Sequence, residues 1–253
     1  MKETRVSFLS GQVLLEGRLA TPQGAGPFPA VIICHPHPLY GGSMDNNVVN
    51  SLFEALTQTS FVSFKFNFRG VGESQGEFGQ GTGEQADVAT AISFVSKLKE
   101  VDRTRIGLAG YSAGAGFALP VGSEDARIKA LAAVSPPLNM FNFDFLKACT
   151  KPKLLISGDK DDIIYAEHFL EFCRNLPEPT ECETIQGADH FWRGYESNLA
   201  ATVTAFFVKE LWLPTEPARH GIRSCSLSSS PQSTKQQEDN DYPANRNKND
   251  SRC

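Results

Sequence analysis

The chain has 253 residues, 40% hydrophobic and 21% charged, an ordinary balance for a globular protein and enough for one sizeable core. Its net charge of −5 argues against a nucleic-acid or membrane-surface partner. The first residues, Met1-Lys2-Glu3-Thr4-Arg5, lack the apolar stretch of a signal peptide, and no apolar run approaches the length of a membrane span.

Arg5 to Leu9 and Gln12 to Arg18, joined through Ser10-Gly11, read as an antiparallel hairpin at a sheet edge. Pro29 to Cys34 is a continuous apolar run, the mark of a fully buried strand. A helix is expected over about Asp45 to Thr57, with Val48, Val49, Leu52, Phe53 and Leu56 on one face. Phe61 to Phe68 is the next strand, and it runs into the glycine-rich Arg69-Gly70-Val71-Gly72. Thr82-Gly83-Glu84-Gln85 resembles a capping box, which would start a helix carrying Val88, Ala91, Ile92, Val95 and Leu98.

A buried strand over Ile106 to Ala109 follows, then a short small-residue helix closed by Pro120-Val121-Gly122. Strands are expected again at Lys129 to Val134, at Pro152 to Ser157 and around Cys182 to Ile185. Phe169, Phe172, Cys173 and Leu176 mark a helix between the last two, and a final helix covers roughly Tyr195 to Leu211.

This alternation predicts an α/β fold, a mostly parallel central sheet with helices on both faces and the hairpin at its N-terminal end. Residues 1–213 form that one domain. Residues 214–253, with almost no apolar side chains, are expected as a disordered polar tail. Six cysteines are scattered without a CxxC pair. Four of them sit in apolar contexts and are expected as buried thiols in a reducing cytoplasm, with no zinc site.

The chemistry gathers at Gly110-Tyr111-Ser112-Ala113-Gly114, the Gly-x-Ser-x-Gly pattern of a nucleophile elbow. A serine hydroxyl needs a base to take its proton and an acid to orient that base. Of five histidines, His35 and His37 precede the serine, His168 falls inside a helix and His220 lies in the tail. That leaves His190 as the base. The acid is expected among Asp159, Asp161 and Asp162, with Asp161 favoured. Oxyanion donors are expected at the amides of Ala113 and His37, because Pro36 and Pro38 have no N–H. His35, Arg69, Tyr111 and Phe141 are expected around the substrate pocket. A dinucleotide loop at Arg69 to Gly72 is rejected, since Gln75 stands where the fingerprint needs its last glycine. No metal and no cofactor are expected.

Together these pieces resemble the α/β-hydrolase superfamily: His35-Pro36-His37-Pro38-Leu39-Tyr40-Gly41-Gly42, Asn67 to Ser74, the elbow, Gly158-Asp159-Lys160-Asp161 and Asp189-His190-Phe191. The likeness covers about residues 4 to 212. Within the superfamily the chain is similar to small, nearly lidless members such as dienelactone hydrolases and prolyl-oligopeptidase-like catalytic domains. The resemblance implies Ser112 as nucleophile, Asp161 as acid and His190 as base, with His37 and Ala113 at the oxyanion. The expected activity is a serine hydrolase cleaving carboxylic esters of a small-molecule acyl substrate through an acyl-enzyme. A peptidase or thioesterase with the same triad is the alternative, and a non-catalytic binding protein is a weaker one.

Overall fold

In the computed structural model, which describes residues 2–212, the alternation of strand and helix builds one eight-stranded sheet. The expected polar tail lies outside the described residues. The hairpin is β1 (Lys2–Ser10) and β2 (Val13–Thr21), antiparallel to each other, and β2 is antiparallel to β4 (Val62–Phe66). β3 (Phe28–Cys34), β4, β5 (Val101–Tyr111), β6 (Ile128–Val134), β7 (Lys153–Gly158) and β8 (Thr180–Ile185) are mutually parallel.

The strand order is β1-β2-β4-β3-β5-β6-β7-β8. The chain first steps outward from β3 to β4, then crosses back over β3 to lay down β5. This reversal puts a topological switch point between β3 and β5. The crevice beyond the carboxyl ends of two such strands is where open α/β sheets bind ligands.

Side-chain alternation splits the interior into two layers. In β3, Ala30, Ile32 and Cys34 face one layer, and Val31 and Ile33 face the other. The first layer is closed by α2 (Thr82–Val95), α3 (Ala113–Glu124) and α4 (Ala166–Arg174); the second by α1 (Asn47–Gln58) and α5 (Glu196–Leu211). β4 shows the same logic. Phe64 and Phe66 pack against Phe8, while Lys65 points the opposite way. Its buried ammonium bonds to Asp45 at 3.2 Å and to Asn50, over the Phe53 ring.

Three local expectations are corrected. The cap of α2 sits one residue earlier than expected: Gly81 is the N-cap, and the Glu84 carboxylate accepts from the amides of Gly79 and Gly81. α3 does not stop at Pro120 but continues to Glu124. The lost N–H bond there is outweighed by Leu119 and Gly122 packed onto the sheet, with Gly122 against Leu108 and Leu131. Finally, Cys173 and Cys182 are not free thiols but a disulfide, Cα atoms 6.2 Å apart, joining α4 to β8. Cys34 and Cys149 are free and buried. The pairing removes part of the ground for expecting a reducing compartment. Among the described residues no helix is long and apolar enough to cross a membrane.

Candidate active site

Ser112 stands at the junction of β5 and α3 with φ 51° and ψ −125°, a left-handed backbone that a side chain rarely adopts. The turn is tight enough to dictate its glycines. A Cβ on Gly110 would lie 2.6 Å from the Ala115 nitrogen, and one on Gly114 would lie 2.6 Å from the Cys34 carbonyl oxygen. Only glycine lets β5, α3 and the end of β3 approach this closely.

His190, in the loop after β8, reaches Ser112 with Nε2 3.1 Å from Oγ. Its Nδ1 lies 2.9 Å from Asp161 Oδ2 and 3.1 Å from Oδ1. An ionised carboxylate only accepts, so Nδ1 carries the proton and Nε2 is left to accept from the Ser112 hydroxyl. Asp161 also accepts from the amides of Ile163 (3.0 Å) and Ile164 (2.8 Å). Burial alone would raise its pKa, but the His190 ring, the Ile164 amide and the Ser135 hydroxyl together hold it below the ordinary carboxylate range.

The neighbouring acids do other work. Asp159 accepts from the Gly187 amide at 2.6 Å and ties the acid loop to the histidine loop. Asp162 is exposed. Asp189 accepts from the Phe191 amide.

The loop after β3 folds back on itself. Tyr40 and Gly42 donate their amides to the His37 carbonyl, and Gly41 takes a φ of 79°. Neither the His37 amide nor the Ala113 amide has a hydrogen-bond acceptor among the described residues, and both residues line the cleft that holds Ser112. The His37 ring accepts from the Leu39 amide at 3.2 Å and packs among Tyr40, Phe78 and Phe117. Burial pushes its pKa down.

The cleft measures about 480 Å3. Of the four expected pocket residues, only Tyr111 lines it. Its hydroxyl donates to the His190 carbonyl at 2.7 Å. His35 is corrected: it is fully buried, with Nδ1 2.7 Å from the Pro36 carbonyl and Nε2 accepting from the Phe68 amide at 3.0 Å. It is a strut between the ends of β3 and β4, and both its nitrogens are engaged, which leaves no lone pair for a metal. Arg69 is corrected too. Its guanidinium grips the fully buried Asp87 of α2, Nη2 to Oδ1 at 2.6 Å and Nε to Oδ2 at 3.0 Å. Arg69 therefore pins the glycine-rich loop to α2, and Phe78, farther along the same connection, sets its ring at a tilt against that of His37.

Phe141 is the third correction. It packs edge-on against Phe117 and over Gly116, and its neighbour Met140 faces the cleft instead. Sequence reasoning missed Met140, Asn46, Pro137, Ile163 and Phe191 as cleft residues. For Ile163 and Phe191 a signal existed, since one follows closely on Asp161 and the other on His190. It also missed Trp192, which is fully buried and donates its indole N–H to Ser135 Oγ at 3.1 Å, anchoring the histidine loop.

Residues 10–151 match the family described as X-Pro dipeptidyl-peptidase (S15 family). Several solved structures are similar across nearly their whole length. A protein of unknown function from Agrobacterium tumefaciens, provisionally classed as an α/β hydrolase, is 32% identical, with TM-score 0.76 over 82% of this chain and 96% of that one. An α/β serine hydrolase homologue from Coxiella burnetii is 32% identical, with TM-score 0.74 over 81% and 97%. An α/β serine hydrolase without a lid from Xanthomonas campestris is 27% identical, with TM-score 0.73 over 86% and 98%.

Proposed function

This chain belongs to the α/β-hydrolase superfamily, within the X-Pro dipeptidyl-peptidase (S15) family, and from that premise we propose that it is a serine hydrolase cleaving carboxylic esters through an acyl-enzyme. One observation carries the reading: the unbroken line from Asp161 through His190 to Ser112, ending beside two unpaired amides.

In this mechanism His190 Nε2 takes the Ser112 proton as Oγ attacks the ester carbonyl carbon. The amides of His37 and Ala113 receive the oxyanion of the tetrahedral intermediate. His190 then gives its proton to the departing alkoxide, leaving acyl-Ser112 and a free alcohol. Water attacks the acyl group with its proton passing to His190, and collapse releases the carboxylic acid and restores Ser112. Asp161 holds the imidazole in the needed tautomer and stabilises the imidazolium that forms.

A peptidase would use the same groups, and the family's description favours that second reading. A small-molecule acyl substrate, the lack of a nucleic-acid or membrane partner, and a cytoplasmic location belong to the proposal as well; cell fractionation checks the last. The central test is labelling with a fluorophosphonate, then mass spectrometry of the modified peptide. An adduct on Ser112, absent from Ser112→Ala, is the expected result. Well-folded protein that takes no label would sink the reading and bring the binding-protein alternative forward.

A further inference from the structure

The cleft is walled on two sides by different chemistry. On the β3 side stand His37, Tyr40 and Asn46, joined by Phe191, whose carbonyl is held by Asn47 of α1. On the side of β6 and β7 stand Pro137, Met140 and Ile163, with no polar side chain among them. Nine large hydrophobic side chains are exposed among the described residues, and four of them, Tyr40, Met140, Ile163 and Phe191, line this one cleft. They come from four separate strand-end loops. Exposed apolar side chains normally scatter singly, so their convergence from four loops marks a surface kept apolar for a ligand.

The lining contains no Asp, Glu, Lys or Arg. Asp161 stands behind His190 with a fully buried side chain, its oxygens already bonded. Arg193 lies over the Phe191 ring, 5.8 Å from its centre, and outside the lining. A charged substrate entering here would give up water and meet no counter-charge, which costs binding energy. This bears on the family's described reaction. Removing a dipeptide from a chain end means holding a free α-amine, protonated up to a pKa of about 8, close to the scissile bond. That calls for a carboxylate beside the nucleophile, and the cleft offers none.

We infer that this cleft takes uncharged esters, seats an apolar group of the ester on the Pro137–Met140–Ile163 wall, and rejects both free-amine dipeptides and anionic acyl groups. The inference rests on the serine-hydrolase reading and adds the substrate class.

The test uses matched p-nitrophenyl esters of similar length: butyrate as the neutral member, hemisuccinate as the anionic one, an ω-amino ester as the cationic one. Ala-Pro-p-nitroanilide serves as the free-amine dipeptide probe. All are run on the full chain, on Ser112→Ala and on Met140→Glu, with a melting curve for each variant. The neutral ester is expected to exceed both charged esters by about tenfold or more in kcat/KM, within the range a single pocket contact discriminates. The dipeptide anilide is expected to turn over negligibly. Met140 is 58% exposed, so a carboxylate there is tolerated by the fold. It is expected to narrow the gap for the cationic ester and widen it for the anionic one.

Charged and neutral esters turned over equally, or the anilide cleaved as fast as the butyrate, would overturn the inference while leaving a Ser112-dependent hydrolase standing. Ester turnover that persists in Ser112→Ala, or no turnover of any ester, would overturn the serine-hydrolase reading itself.

Discussion

Two histidines are buried at strand ends on the same rim, His35 after β3 and His190 after β8, exposed by 0% and 4%. Each uses both ring nitrogens. His35 spends them on backbone groups, the Pro36 carbonyl and the Phe68 amide, so its bonds close on the chain itself. His190 spends one on a buried carboxylate and the other on a hydroxyl that opens to the cleft. Burial and hydrogen bonding are therefore common to both, and neither marks a site. What separates them is whether the last partner is a group that can react.

The sharpest way to break this contrast is at the acid. Asp161→Asn keeps an oxygen for the Ile163 and Ile164 amides but can present an N–H to His190 and favour the wrong tautomer. We expect kcat on a neutral ester to fall by about ten-thousandfold with the thermal midpoint little changed. A loss below tenfold in stopped assays would mean the line from Asp161 to Ser112 is not the catalytic one.

The oxyanion side comes next. His37 has φ −54° and ψ 123°, values a proline accepts. His37→Pro deletes the amide N–H and the ring together, while His37→Ala deletes the ring alone. The proline variant is expected to be slower than the alanine variant by about a hundredfold or more in kcat. Equal rates would place the second donor elsewhere in the loop.

The structural histidine is tested through stability. Burial lowers the His35 pKa to about 4, against about 6.5 in an unfolded chain. Between those values the unfolded chain binds a proton that the folded one does not. Stability from this group is thus complete above about pH 6.5 and lost as the pH falls toward about 4, by up to about 3 kcal/mol. Urea titrations of the protein and of His35→Gln, whose side-chain oxygen still accepts from Phe68 but does not titrate, are expected to differ in slope across that window. Parallel slopes would refute the assignment. The smallest effect is at Tyr111. Tyr111→Phe keeps the cleft wall and loses only the bond to the His190 carbonyl, so kcat is expected to drop about tenfold with KM unchanged, a loss of about one hydrogen bond. A change confined to KM would make the hydroxyl a substrate contact instead.

The elbow, the sheet and the order of Ser112, Asp161 and His190 were legible because each is written locally: an apolar run, a glycine pair, a turn at a strand end. Arg69 was not legible, because its partner Asp87 lies 18 residues away on α2, and a loop arginine looks the same whether it faces a ligand or a helix. Met140 and Phe141 are adjacent in a loop with no periodicity. The choice between them falls to Gly116, whose missing side chain gives the Phe141 ring a seat. The disulfide escaped for a similar reason: a separation of nine residues spans a helix end and a strand, and only their packing brings the sulfurs together.

The bond from Asp159 to the Gly187 amide has a bearing on motion. Asp161 and His190 sit on loops after different strands, β7 and β8, and this link ties those loops together at a second point beside the Asp161–His190 pair. Two loops cross-linked in this way are expected to open together, which amide hydrogen exchange would show as matched protection at Gly187 and Ile164.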